Sequence, residues 1–145
     1  MITISRQLMD AVFDHGREGY PHEVCGIFLG TFEGENKRVV EVRRAKNLNT
    51  ERAHDRYNMD PKDVVMAEKE GRERGLEILG FYHSHPDHPN EPSEHDRELA
   101  VNAFAYVYSF LIVAVKEGKE VIPRSWVLND KTDRFDEEKI ETAGD

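Results

Sequence analysis

The pattern of apolar and polar positions in the first third of the chain predicts one helix and two strands. Apolar residues recur every three or four positions between residues 5 and 16, which predicts a first helix from about Ser5 to Gly16. Nearly every position from Val24 to Phe32 is apolar, as in a strand covered on both faces. A turn at residues 33–36 then leads to a more exposed, alternating strand from Arg38 to Ala45.

Helices and strands continue to alternate in the rest of the chain. Asp60 and Pro61 are typical of a helix start, and this helix is predicted to end near Gly75. The other predicted elements are a short strand at 78–82, a helix at 93–104, a buried strand at 107–115 and a strand at 121–128. Pro123 places the last strand at an edge or a bulge, and the charged tail from residue 129 adds a short strand or frays. The pattern predicts an α/β fold, a mixed central sheet flanked by helices in one domain over residues 1–145.

Charge and composition limit the partners that the protein can have. The 20 basic and 29 acidic residues give a net charge of −9, so a nucleic acid or an anionic membrane would be repelled. The longest apolar stretch, residues 107–115, is far shorter than the roughly 20 residues that span a bilayer, and no secretory signal is visible. A single cysteine, Cys25, forms no intrachain disulfide, so a reducing compartment fits best and we expect a cytoplasmic protein.

The candidate chemistry lies in a histidine-rich segment at residues 83–96. Four of the seven histidines fall in it, and its three prolines predict a shaped loop between a strand ending near His83 and a helix starting near Ser93. Residues two apart on a strand point to the same side, so His83 and His85 can offer two imidazoles to one point. Asp96 lies in the first helical turn, where its carboxylate can face back toward the loop. Two histidines and one carboxylate are a ligand set typical of catalytic zinc, which keeps a fourth position for water.

Ordinary structural roles stay open for each of these residues. Two histidines spaced in this way are common on surfaces and in cores, and Ser93 with Asp96 could form only a helix-capping arrangement. Cys25 lies in an apolar strand, where a cysteine usually acts as a small hydrophobe and not as a nucleophile. His88 and His95 are interpreted as solvated residues and not as extra ligands.

The segment resembles the signature of the JAMM, or MPN-plus, metallopeptidase family. That signature is an upstream glutamate, then His-Ser-His or His-Thr-His, seven residues, Ser, two residues and Asp. Here His83-Ser84-His85 is followed by residues 86–92, then Ser93 and Asp96, and the upstream glutamate is Glu23. The order of predicted elements also follows the family over essentially the whole chain. The resemblance implies the JAMM/MPN fold, a cytidine-deaminase-like architecture.

The resemblance implies a role for each matching residue. His83, His85 and Asp96 would hold one Zn²⁺ per chain, with water in the fourth position. Glu23 would act as general base and then as general acid, in a partly desolvated site that raises its pKa. Ser93 would donate a hydrogen bond to the oxyanion of the tetrahedral intermediate.

The activity implied by the resemblance is zinc-dependent hydrolysis of the amide or isopeptide bond after the C-terminal Gly-Gly of a ubiquitin-like or sulfur-carrier protein. Such a tail suits a narrow groove, because only residues without side chains pass close to the metal. The loop at residues 47–59 and the following helix are candidates to line this groove.

The sequence also bears on three other functions. A non-catalytic MPN-fold binding or scaffold module is the alternative, and the presence of all five motif residues favours the enzyme. A zinc nucleobase deaminase is set aside, because its His-x-Glu and Pro-Cys-x-x-Cys signature is missing from this sequence. A DNA-repair-associated relative with the same histidine signature is disfavoured by the acidic balance.

Overall fold

The computed structural model describes residues 1–144, in which eight strands form one sheet and three α-helices pack on it. The helices are α1 (Arg6–Gly19), α2 (Pro61–Glu73) and α3 (Glu94–Asn102). The strands are β1 (Ile2–Ser5), β2 (Cys25–Glu33), β3 (Asn36–Ala45), β4 (Glu77–Pro86), β5 (Ser109–Lys116), β6 (Glu120–Leu128), β7 (Phe135–Glu138) and β8 (Ile140–Ala143). The sheet order is β7-β6-β5-β4-β2-β3-β1-β8, with parallel and antiparallel neighbours. The predicted mixed α/β architecture is confirmed.

The helices cover both faces of the sheet. α1 packs on one face, where Met9 and Val12 join buried residues of several strands, Phe28 of β2 among them. α2 and α3 lie on the other face, where Val64 of α2 and Ala100 of α3 line one cavity. On this face Ala67 of α2 belongs to the same buried cluster as Ile27. Successive side chains of a strand point to opposite faces, so β2 contributes Phe28 to one layer and Ile27 to the other.

Side-chain caps determine where the helices begin. Ser5, Asp60 and Ser93 each accept a hydrogen bond from a backbone N–H in the first turn of α1, α2 and α3. Pro61 opens α2, as the sequence predicts. Because Ser93 fixes the start of α3, it also fixes the position of Asp96 in the first turn. No helix among residues 1–144 combines the length and the apolar character that a membrane span needs.

Two parts of the chain differ from the sequence-based prediction. β4 extends to Pro86 and does not end near His83, because the histidine segment begins as a central strand hydrogen-bonded to β2 and β5. The strand β1 was not predicted, since its partners β3 and β8 are distant in sequence. The tail from residue 129 was predicted to add a short strand or to fray, and it adds both β7 and β8. Pro123 lies outside the part of β6 that pairs with β7, in agreement with the edge position predicted for it.

The last two strands bring the two ends of the sheet together. β7 and β8 are the outermost strands of the sheet, yet only Lys139 separates them in sequence. At this junction the carboxylate of Glu138 lies 3.0 Å from Nζ of the buried Lys37 in β3. It also accepts hydrogen bonds from Ser109 of β5 and Ser125 of β6, at 2.6 and 2.9 Å. One buried carboxylate therefore links three strands to the C-terminal segment.

The substitution Glu138→Gln should lower the free energy of unfolding by about 3 kcal/mol, because it leaves the buried ammonium group of Lys37 without its counter-charge. Urea denaturation at pH 7 measures this effect. The matched control is Glu137→Gln, since the neighbouring carboxylate pairs with Arg124 at the surface, where ion pairs contribute little. Equal destabilisation by both substitutions would contradict the role assigned to Glu138.

Acid should remove the same contribution of Glu138. Burial by itself would raise the pKa of this carboxyl, but the hydrogen bonds from Ser109 and Ser125 and the charge of Lys37 lower it below the ordinary value of 4.5. A group whose pKa is depressed by folding stabilises the protein fully above its unfolded pKa, and this stabilisation is lost as the pH falls through its folded pKa. The stability difference between the wild type and Glu138→Gln should therefore narrow as the pH falls below about 4.5.

Candidate metal centre and active site

Strand β4 places His83 and His85 next to each other on the face of the sheet that α2 and α3 cover. The two side chains point to the same face, as the strand period predicts for residues two apart, and their Nε2 atoms are 3.0 Å apart. β4 lies in the middle of the sheet between β2 and β5. His83 is 1% exposed and His85 is 7% exposed, so the sheet holds both imidazoles in a buried position.

Asp96 completes a triangle of ligand atoms with the two histidines. Its Oδ2 lies 3.3 Å from the Nε2 atom of each imidazole. Two donor atoms of a tetrahedral metal ion with bonds of roughly 2 Å lie about 3.3 Å apart. The three atoms therefore have the spacing at which they could hold one metal ion.

Hydrogen bonds orient the ligand atoms of this triangle, and the charge of Asp96 favours a cation between them. The Nδ1 atom of His85 lies 2.7 Å from the carbonyl oxygen of Pro89 and donates its proton there, which turns Nε2 toward the other ligand atoms. Burial lowers the pKa of His83 and so favours the neutral imidazole, which is the form that binds a metal ion. Burial opposes ionisation of Asp96, but the two histidines and the Ser93 N–H lower its pKa far below the usual range. Burial of His85 lowers its pKa, but the neighbouring Asp96 and the Pro89 carbonyl outweigh this effect and raise it. Asp96 thus favours positive charge beside it, as a bound cation would supply.

Glu23 lies next to the triangle, just before β2. One of its carboxylate oxygens is within 4.8 Å of a ring nitrogen of His83 and of one of His85, and the group is 5% exposed. The backbone of Glu23 is fixed by the loop, because its N–H donates to Ala53 and its carbonyl accepts from Asn47 at 3.0 Å. Burial raises the pKa of Glu23 to about 8, in agreement with the desolvated site expected from the sequence. A carboxyl with a pKa near neutrality can both accept and return a proton.

Ser93 lies at the exposed side of the same site. Its Oγ accepts the N–H of Asp96 at 3.0 Å, and its own N–H donates to Oδ2 of Asp96 at 2.9 Å. The capping arrangement considered from the sequence is therefore present, and it uses the carboxylate oxygen that also faces the histidines. Ser93, Glu23 and His85 line one open cleft of about 340 Å³.

An apolar cavity of about 200 Å³ lies beside the metal-ligand triangle, with His83 and Asp96 in its wall. The loop at residues 47–59 lines it with Tyr57, and α2 lines it with Val64. Asp55 of the same loop lines the open cleft instead. Both segments that were candidates to line a groove therefore reach the site. Neither Asp55 nor Tyr57 was singled out from the sequence, where an aromatic residue in a polar loop is the only signal.

The cysteine and the other histidines are placed outside the triangle. Cys25 is buried in β2, and burial raises the pKa of its thiol to about 12, so it acts as a hydrophobe, as expected. His88 lines the open cleft, whereas His95 lies on α3 beside Asp96. His15 lies on α1 at the opposite face, where its Nδ1 is 2.7 Å from a tyrosine hydroxyl.

The chain is similar to proteins of one family. The family described as prokaryotic homologs of the JAB domain matches residues 5–129. A desampylase from Haloferax volcanii is 31% identical over 103 residues, which cover 68% of this chain and 72% of the relative. A CysO-cysteine peptidase from Mycobacterium tuberculosis is 25% identical over 130 residues, which cover 90% and 84% of the two chains.

A solved structure shows the same architecture. The solution structure of a protein from Desulfitobacterium hafniense matches with a TM-score of 0.87 and 32% identity, and covers 100% of this chain and 94% of that one. The sequence-based assignments to the JAMM family, to its fold and to its peptidases are confirmed. With residues 5–129 matched, the chain belongs to the prokaryotic homologues of the JAB domain, the JAMM/MPN family.

Proposed function

We propose that the protein is a zinc-dependent peptidase that hydrolyses the amide or isopeptide bond after the C-terminal Gly-Gly of a ubiquitin-like or sulfur-carrier protein. The observation that carries the proposal is the triangle of Nε2, Nε2 and Oδ2 atoms with Glu23 beside it. Burying two imidazoles and two carboxyl groups in one place costs stability, and a scaffold module would have no use for it. The enzyme is therefore favoured over the non-catalytic alternative.

Zn²⁺ is assigned to His83, His85 and Asp96, at one ion per chain. Two histidines and one carboxylate are the donor set of catalytic zinc sites that keep one position open. When bound, zinc lowers the pKa of a water molecule and polarises a carbonyl group. Hydrogen bonds orient two of these ligands: the Pro89 carbonyl accepts from the far ring nitrogen of His85, and the Ser93 N–H donates to Oδ2 of Asp96.

The chain's own residues move the proton and bind the developing charge. Glu23 accepts a proton from the attacking water and returns it to the leaving nitrogen. Burial raises the pKa of Glu23 and so makes its carboxylate a stronger base than an exposed one, while a cation at the neighbouring ligands would favour the ionised form that accepts the proton. Ser93 uses an oxygen lone pair to cap α3, so its hydroxyl proton is free for the oxyanion that develops on the scissile carbonyl. Both residues line the open cleft of about 340 Å³, and a tail without side chains can bring its peptide bond closest to them.

Two relatives support the substrate class. One is named a desampylase and the other a CysO-cysteine peptidase. Both names describe removal of a group from a conjugate, as the proposed reaction does. The net charge of −9 is consistent with a protein substrate and not with a nucleic acid. A cytoplasmic location, as expected from the single cysteine, belongs to the same proposal.

Cleavage of an extended carrier tests the proposed function. The zinc-loaded protein should trim a ubiquitin-like or sulfur-carrier protein, extended by several residues, back to its Gly-Gly end, and a chelator should stop the reaction. Mass spectrometry of the carrier measures the product. The control carrier has Ala-Ala in place of Gly-Gly and should react roughly 10-fold more slowly or worse, because two added methyl groups would have to pass close to the proposed metal site. An intact extension on several such carriers would favour the scaffold module.

A further inference from the structure

The two imidazoles of the proposed zinc site are oriented in different ways. His85 is oriented by a hydrogen bond, since its Nδ1 lies 2.7 Å from the Pro89 carbonyl oxygen. The Nδ1 atom of His83 is the one buried side-chain nitrogen or oxygen of residues 1–144 that has no hydrogen-bond partner. Rotation about χ2 of a histidine is only weakly restricted by the bond itself. His83 therefore lacks, at Nδ1, the hydrogen bond that orients the ring of His85.

The ring of Tyr57 lies flat against the imidazole of His83. The two ring centroids are 4.5 Å apart and the two planes differ by 28°, which is a stacked geometry. The ring of His85 approaches His83 at a steeper angle of 56°, with the centroids 4.8 Å apart. Rotation of the His83 imidazole about χ2 would drive its edge into the Tyr57 ring.

The loop holds Tyr57 in place through Asn47. The side-chain oxygen of Asn47 accepts the N–H of Asn58 at 2.9 Å, and its amide nitrogen donates to the carbonyl of Arg56 at 3.3 Å. Both backbone neighbours of Tyr57 are therefore held by one side chain. The N–H of Leu48 donates to the carbonyl of Asn58 at 2.7 Å and adds a second tie. The stack against His83 is thus part of a fixed loop and not a chance contact of a loose one.

We infer that Tyr57 is a positioning residue for His83 and fixes its ring by stacking. It does for this ligand what the Pro89 carbonyl does for His85. The inference rests on the proposed zinc site, because its effect is on the orientation of one ligand. The stacking contact is made by the aromatic ring. Phenylalanine at position 57 should therefore still orient His83, whereas leucine should not.

Zinc affinity measured with a competing chromophoric chelator tests the inference. Tyr57→Leu should raise the dissociation constant for zinc about 10-fold, as expected when the group that orients a ligand is removed. Tyr57→Phe should stay close to the wild type. The absorption spectrum of the cobalt-loaded protein reports the ligand geometry directly and should change in Tyr57→Leu but not in Tyr57→Phe. A loss of stability alone would not produce this pattern.

The outcomes separate this inference from the function on which it rests. Unchanged zinc affinity and an unchanged cobalt spectrum in Tyr57→Leu would overturn it. An equal loss in Tyr57→Phe would also overturn it, because the ring would then not be the cause. Failure of the wild type to bind zinc would refute the proposed metal site itself. The zinc affinity of the wild-type protein alone decides this point.

Discussion

Replacement of Glu23 by glutamine should slow hydrolysis of a Gly-Gly-extended carrier by roughly 10²–10⁴-fold while the zinc content stays near one ion per chain. Glutamine has nearly the same size as glutamate and leaves the backbone bond to Asn47 intact, but it neither accepts nor returns a proton. The rate of carrier cleavage at saturating substrate and the metal content by atomic absorption measure the two quantities separately.

The same chemical change at a neighbouring surface position is the control for Glu23. Glu94 lies in the first turn of α3, where its exposed carboxylate pairs with Arg97. Glu94→Gln should therefore cleave the carrier at nearly the wild-type rate. Wild-type activity in Glu23→Gln would show that another group acts as the base.

Asp96→Asn should weaken zinc binding by more than roughly 100-fold, because losing a ligand costs more than losing a group that orients one. Asparagine keeps an oxygen that can accept the N–H of Ser93, so α3 should still begin at the same residue. It lacks the negative charge that faces the two histidines. Chelator competition gives the affinity, and carrier cleavage should fall with it.

Two further variants decide whether the ligands are assigned correctly. His83→Ala should lose the metal in the same way, since it removes another corner of the triangle. His88→Ala should keep it, because His88 lines the open cleft but is not part of the triangle. Full zinc occupancy in both Asp96→Asn and His83→Ala would refute the ligand set.

The proposed ligands could be predicted because each lies on a regular element whose geometry is known. A strand places His83 and His85 on one side, and a capped helix start turns Asp96 toward them. The exact end of β4 could not be predicted. Pro86 locally favours a loop, but β2 pairs with the strand as far as His83, and β5 pairs with it through His85 to Pro86. Tertiary hydrogen bonding there outweighs the local signal.

The parts of the fold that were missed depend on contacts between distant residues. β1 has only four residues, and what makes it a strand is its pairing with β3 and β8. The stack of Tyr57 on His83 depends on how a polar loop folds back, which hydrophobic periodicity does not report. The ion pair of Glu138 with Lys37 could not be predicted either, because the two residues are distant in sequence and meet only when the sheet has formed.

The meeting of the two sheet ends has a consequence for the order of synthesis. Ile2 pairs with Ile140, so during synthesis β1 obtains its second neighbour only after β8 has been made. Until then one side of β1 is an unpaired edge, and Lys37 lacks its counter-charge. Unpaired edges invite association with other chains. The pairing of β8 with β1 therefore removes an edge that stays open to association for most of synthesis.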